Sequence, residues 1–164
     1  RTFFISDARF RPTPNGLTEP IKCYGRANNI GFVEKTEVSS HIEWIDKWKV
    51  FIPESNNIGT ELNDDNQNSF VGAPQEICTE TFLCVGAELN LTQQSARNLS
   101  NYLRTKFARF LLSLAKISQH GTSKTYRFVP LQDFNEEWTD EKLYKKYSLT
   151  QQERNYIESS IKSM

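Results

Sequence analysis

Long apolar runs are missing from this chain of 164 residues: no stretch approaches the roughly 18 that cross a bilayer. That excludes an integral helical membrane protein. Cysteine is sparse, with only Cys23, Cys78 and Cys84, an odd set that forms no disulfide framework and suits free thiols in a reducing cytoplasm. There are two histidines and one methionine, and that methionine is the last residue. With neither an initiator methionine nor a basic-then-apolar leader, the chain is expected to be an internal segment of a larger protein. Net charge is missing too, 20 basic against 20 acidic side chains, and a zero total argues at first sight against a nucleic-acid binder. Mean hydropathy is −0.61. Aromatic residues are plentiful at 12%, enough to build a core and to exclude a wholly disordered chain. The length fits one domain, or two small lobes sharing a core.

The zero total hides a division. Residues 1–90 hold 8 basic and 13 acidic side chains, and residues 91–164 hold 12 and 7. Between Lys49 and Arg97 there are seven acids and no base. Between Glu88 and Asp133 there are seven bases and no acid: Arg97, Arg104, Lys106, Arg109, Lys116, Lys124 and Arg127. Screening limits each patch to a reach of about 8–10 Å, so a local field of one sign attracts polyanions whatever the sum. The competing reading is a solvated helix face that happens to lack acids.

Hydrophobic spacing predicts an α+β fold, a small antiparallel sheet packed on one long helix with short C-terminal helices. Residues 21–26 and 30–38 read as a hairpin joined by Ala27-Asn28-Asn29, and Trp48–Pro53 alternates like a half-buried strand. Residues 54–75, rich in Asn, Asp, Gly and Ser, read as a mobile loop, and residues 77–85 as one further strand. Ala96, Leu99, Leu103, Phe107, Phe110, Leu111, Leu114 and Ile117 share one face of a helix expected over residues 92–118, about 40 Å long. Arg109 and Lys116 would lie on its opposite face. Thr139 caps a short helix, and Thr150-Gln151-Gln152-Glu153 is a capping box for the last one. A domain is expected over 1–134, with a helical extension over 135–164 packed on it.

Catalytic chemistry is hard to find. There is no HExxH, no paired CxxC and no Gly-rich phosphate loop. Cys78 and Cys84, six apart in the expected strand, point together into a core. A metal nuclease would need an acidic cluster, and Asp133, Asp140, Glu141 and Lys142 are the candidates. Asp140 and Glu141 directly follow the cap Thr139, where acids complement the helix dipole. Phe70-Val71-Gly72-Ala73-Pro74 begins like a methyl-donor loop of the Phe-x-Gly-x-Gly type, but lacks the last glycine. No catalytic, cofactor-binding or metal-binding residue is assigned.

Four ordered blocks carry a resemblance. They are residues 70–86 (Phe70-Val71-Gly72 through Cys84-Val85-Gly86), residues 102–112 with 126–134 (Tyr102-Leu103-Arg104, then Tyr126-Arg127-Phe128), residues 137–147 (Glu137-Trp138-Thr139), and Leu149-Thr150 with Tyr156-Ile157-Glu158. Together they resemble the C-terminal target-recognition region of bacterial type II restriction–modification proteins with an N6-adenine-specific DNA methyltransferase domain, some fused to a nuclease. The resemblance runs from about residue 20 to the end. It implies a cytoplasmic domain that grips double-stranded DNA and reads its sequence. An upstream methyltransferase domain of the same chain would bind S-adenosylmethionine and act on the flipped adenine, leaving this segment without a cofactor or catalysis of its own.

The residues supply candidates for the DNA contacts. Arg104, Lys106, Arg109, Lys116, Lys124 and Arg127 are placed to neutralise phosphates. Gln119, Thr122 and Ser123, in a polar turn, and Lys47 and Lys49 are candidate base readers. Arg104 or Arg109 is an alternative anchor for the upstream domain. Two other functions stay open: a scaffold domain whose basic helix docks an acidic partner, and the metal nuclease.

Overall fold

The computed structural model describes residues 2–55, 68–115 and 123–164. The fold is α+β, with two three-stranded sheets followed by four helices. Strands β1 (Pro20–Tyr24) and β2 (Ile30–Glu34) form the expected hairpin, with Ile21 opposite Val33 and Cys23 opposite Gly31. A short 3-10 turn, Arg26–Asn28, joins them, and Ala27 takes a left-handed φ of 57° to reverse the chain.

The expected single antiparallel sheet is replaced by two sheets, one of them mixed. The reason lies at residues 79–81. The hydroxyls of Thr79 and Thr81 meet at 2.8 Å, and the Phe82 amide donates to the Thr79 carbonyl at 3.2 Å, which turns the chain inside the expected strand 77–85. Its first half, β5 (Glu76–Cys78), pairs parallel with β1, while its second half, β6 (Phe82–Val85), pairs antiparallel with β3 (Lys49–Pro53). Strand β4 (Phe70–Gly72) completes the second sheet in the order β4-β3-β6. It arises within the expected loop 54–75, of which residues 56–67 lie outside the described residues.

Strand β3 is buried on both faces, which corrects its half-buried reading. Phe51 joins Phe3, Ile5, Ile21, Cys23, Val33, Ile77, Cys78 and Cys84 in one apolar cluster. Val50 and Ile52, pointing the other way, join Leu99, Leu103, Phe107, Trp138, Leu143 and Ile157 in a second. All three cysteines are free and buried, and Cys78 and Cys84 do share a core, although from strands of different sheets. Phe134, at the expected domain division, is itself buried in the second cluster alongside residues from both sides.

The long helix is broken. Helix α1 runs Gln93–Arg104 and α2 runs Lys106–Ala115, with Thr105 extended between them at ψ 151°. The Thr105 hydroxyl donates to the Tyr102 carbonyl at 2.7 Å and accepts from the Ala108 amide at 3.2 Å, ending one helix and capping the next. Asp140 adds a second cap: its carboxylate accepts from the Lys106 amide at 3.1 Å and the Phe107 amide at 2.8 Å. The break changes which side chains of α2 face the core: Leu114, expected on the apolar face, is 57% exposed, while Leu112 is buried. Residues 116–118 of the expected helix lie outside the described residues.

Helices α3 (Asp140–Lys146) and α4 (Gln151–Ser160) begin at Thr139 and Thr150 as predicted, the latter with a complete capping box. Gly86, at φ 82°, ends β6 and lets α1 approach, since a Cβ there would fall 2.6 Å from Leu99. Among the described residues no helix is long and apolar enough to cross a membrane.

Candidate nucleic-acid interface

Helix α1 positions the candidate face. Thr92 caps it, accepting from the Ser95 amide at 3.2 Å, while the Ser95 hydroxyl accepts from the Thr92 amide at 2.8 Å. One side is fixed to the core by Ala96, Leu99, Tyr102 and Leu103, and by the Asn98 amide, which donates to the Phe134 carbonyl at 2.9 Å. The other side presents Gln93, Arg97, Asn101 and Arg104, all exposed. At 100° per residue these four fall within an arc of about 80°. Their side chains make no hydrogen bond or ion pair among the described residues. No acid occurs on the helix, so nothing on it neutralises the two guanidinium groups.

The expected contact residues separate into distinct groups. Arg104 is exposed and lies on this face. Lys124 and Arg127 are exposed at and just after a 3-10 turn, Ser123–Tyr126, that packs on α2; the Arg127 guanidinium stands 4.7 Å over the Phe128 ring. Ser123 opens that turn. Tyr126, from the same turn, and Leu99 and Leu103 line one apolar cavity of about 280 Å³. Lys47 is exposed and donates to Asn90 Oδ1 at 2.8 Å. Lys116, Gln119 and Thr122 lie outside the described residues.

Three expected contacts are withdrawn from the surface. Arg109 is 2% exposed. Its Nε donates to the Arg104 carbonyl at 3.1 Å and an Nη to the Lys162 carbonyl at 2.9 Å, so it joins α1 to the C-terminal segment rather than facing a phosphate. The helix break puts it there: with α2 turned at Thr105, position 109 no longer continues the outer face of α1. Lys49 is fully buried, and its ammonium donates to the carbonyls of Ile45, Lys47 and Ala73 at 3.1, 2.8 and 3.0 Å. Burial pushes its amine down to about 8. Lys106 is half-buried and paired with Glu158 at 2.6 Å, and that bond, followed by one from the Tyr144 hydroxyl, lowers the Glu158 carboxyl.

Gln93, Arg97 and Asn101, exposed beside Arg104, were not among the expected contacts. Their signal was available: spacings of four, four and three place them with Arg104 on the face complementary to Ala96, Leu99 and Leu103. Charge alone does not mark the two amides, Gln93 before the arginines and Asn101 between them.

The nuclease candidates are committed elsewhere. Asp140 caps α2, and Asp133 accepts from the Asn135 amide at 2.9 Å. Glu141 pairs with Arg154 at 3.4 Å, and Lys142 with Glu136 at 3.3 Å. Among the described residues no group of three or more His, Cys, Asp or Glu side chains is placed to hold a metal ion. Nor do residues 70–74 fit a methyl donor. Phe70–Gly72 is strand β4, the space a Gly72 Cβ would take is filled by the Phe51 ring at 2.4 Å, and the Ala73 carbonyl is occupied by Lys49.

One other surface has distinct chemistry. Phe107, Phe110, Leu111, Leu149, Tyr156 and Ile157 line an apolar groove of about 350 Å³ between α2 and α4. Comparison with family models, with curated proteins and with solved structures finds no match to the chain.

Proposed function

We propose that this chain is a sequence-reading double-stranded DNA recognition domain, serving an adenine-N6 DNA methyltransferase domain of the same cytoplasmic protein. The observation that carries the reading is the outer face of α1: two arginines and two amides, unpaired among the described residues, on a helix without acids. Arginine and amide side chains are the groups that bond base edges bidentately, and a rigid α-helix fits the roughly 12 Å major groove. Lys124 and Arg127 add phosphate contacts that set register. The resemblance of four blocks to restriction–modification proteins is what suggests the biological setting. In that setting S-adenosylmethionine and the flipped adenine belong to the upstream domain, and this domain holds the duplex.

Titration of a labelled random duplex at several salt concentrations tests the reading. Neutralising about two phosphates with Lys124 and Arg127 predicts a slope of log K against log salt near about −1.8, lost when both are replaced by alanine, while alanine at Arg97 and Arg104 weakens binding with little change of slope. A slope unchanged by the Lys124 and Arg127 replacements, or no binding at low salt, contradicts it. A second reading, a scaffold domain docking a protein, is favoured by the apolar α2/α4 groove. It predicts instead that Tyr156→Ser abolishes the interaction while the arginine changes do not.

A further inference from the structure

The outer face of α1 also specifies a class of target sequence, an inference that rests on the proposed DNA reading. Arg97, Asn101 and Arg104 are all exposed on α1, four and then three residues apart. At 100° per residue they lie within an arc of about 60°, so one orientation of the helix presents all three to one groove. The first and last are separated by about 10 Å of helix rise, against about 3.4 Å per base pair of duplex. Three side chains at such spacing, one per turn of helix, meet successive bases when a helix enters the major groove at an angle. The chemistry then assigns the bases. A guanidinium donates twice, matching the O6 and N7 acceptors of guanine, and a carboxamide donates and accepts, matching N7 and N6 of adenine.

The scaffold holds that geometry in place. Helix α1 has its capping pair at one end and the Thr105 hydroxyl at the other, and Asn98 and Tyr102 bond to the carbonyls of Phe134 and Pro130. The competing acceptors that would draw the arginines aside are missing from the helix. We infer that α1 reads a triplet in which an A·T pair lies between two G·C pairs, with Asn101 on the adenine and Arg97 and Arg104 on the guanines.

Selection of bound duplexes from a randomised library by the full chain, followed by sequencing, tests this. The expected result is enrichment of a G·C, A·T, G·C triplet, each wrong pair costing about 5- to 150-fold in affinity. Replacing Arg104 by glutamine should convert one outer position, and only that one, from G·C to A·T. The variant changes an exposed side chain, so its fold is maintained, and an unchanged thermal transition checks that. Binding to random duplex with no common triplet, or an Arg104→Gln selection identical to that of the parent, overturns the assignment while leaving general DNA recognition standing. Failure to bind any duplex overturns both.

Discussion

Arg104 and Arg109 differ in what their guanidinium groups touch, and two measurements separate them. Arg109 bonds the Arg104 and Lys162 carbonyls from a buried site, so its replacement by alanine removes both bonds and the packing of a buried side chain. Urea unfolding should show a loss of about 2–4 kcal/mol for Arg109→Ala, against less than about 0.5 kcal/mol for Arg104→Ala. Equal stabilities would mean that the buried bonds contribute nothing. Lys49 gives a second prediction, in pH. Burial pushes its folded pKa down to about 8 from an ordinary 10.5. Below about 8 both states carry the proton, and the cost of burying the charge is fully present. Between 8 and 10.5 the unfolded chain binds more protons than the folded one, so this contribution to stability rises with pH. Unfolding midpoints of the parent and Lys49→Met, compared from pH 7 to 10, isolate it because the other titrating groups cancel. The parent should gain on the variant as pH rises, and a constant gap contradicts the assignment.

Thr105 and Asp140 decide the course of the helical elements. Asp140 stands at the start of α3, yet its carboxylate accepts from two amides at the start of α2, so one residue serves the packing of both. Asp140→Ala should cost about 1–2 kcal/mol by urea denaturation, the usual value of a lost cap. A stability within a few tenths of the parent would show that the Thr105 cap suffices alone. These elements also show what was legible beforehand. The caps Thr139 and Thr150 could be read because they satisfy amides only three residues away. The break at Thr105 has the same local cap, its hydroxyl accepting from the Ala108 amide, but the apolar pattern runs through it, and its second cap is a carboxylate 34 residues from Lys106. The same holds for strand 77–85: its composition is continuous, and only its partners, β1 for one half and β3 for the other, divide it.

At the scale of the whole molecule, β3 separates two apolar clusters, one closed by the β2-β1-β5 sheet and one by the helices. The α+β class and the hairpin were readable from local spacing. The burial of Lys49 and Arg109 was not, since each needs one carbonyl, of Ala73 and of Lys162, that only tertiary packing brings near. As a result the base-only stretch divides into side chains that hold the fold and side chains that face outward, and the outward ones on α1 carry the proposed role. That claim is tested most directly by a residue-resolved NMR titration of the full chain with a short duplex. The expected result is side-chain and amide shifts concentrated at Gln93, Arg97, Asn101 and Arg104, with Phe110 and Tyr156 in the apolar groove unmoved. Shifts centred on the groove, with the α1 face silent, would contradict it.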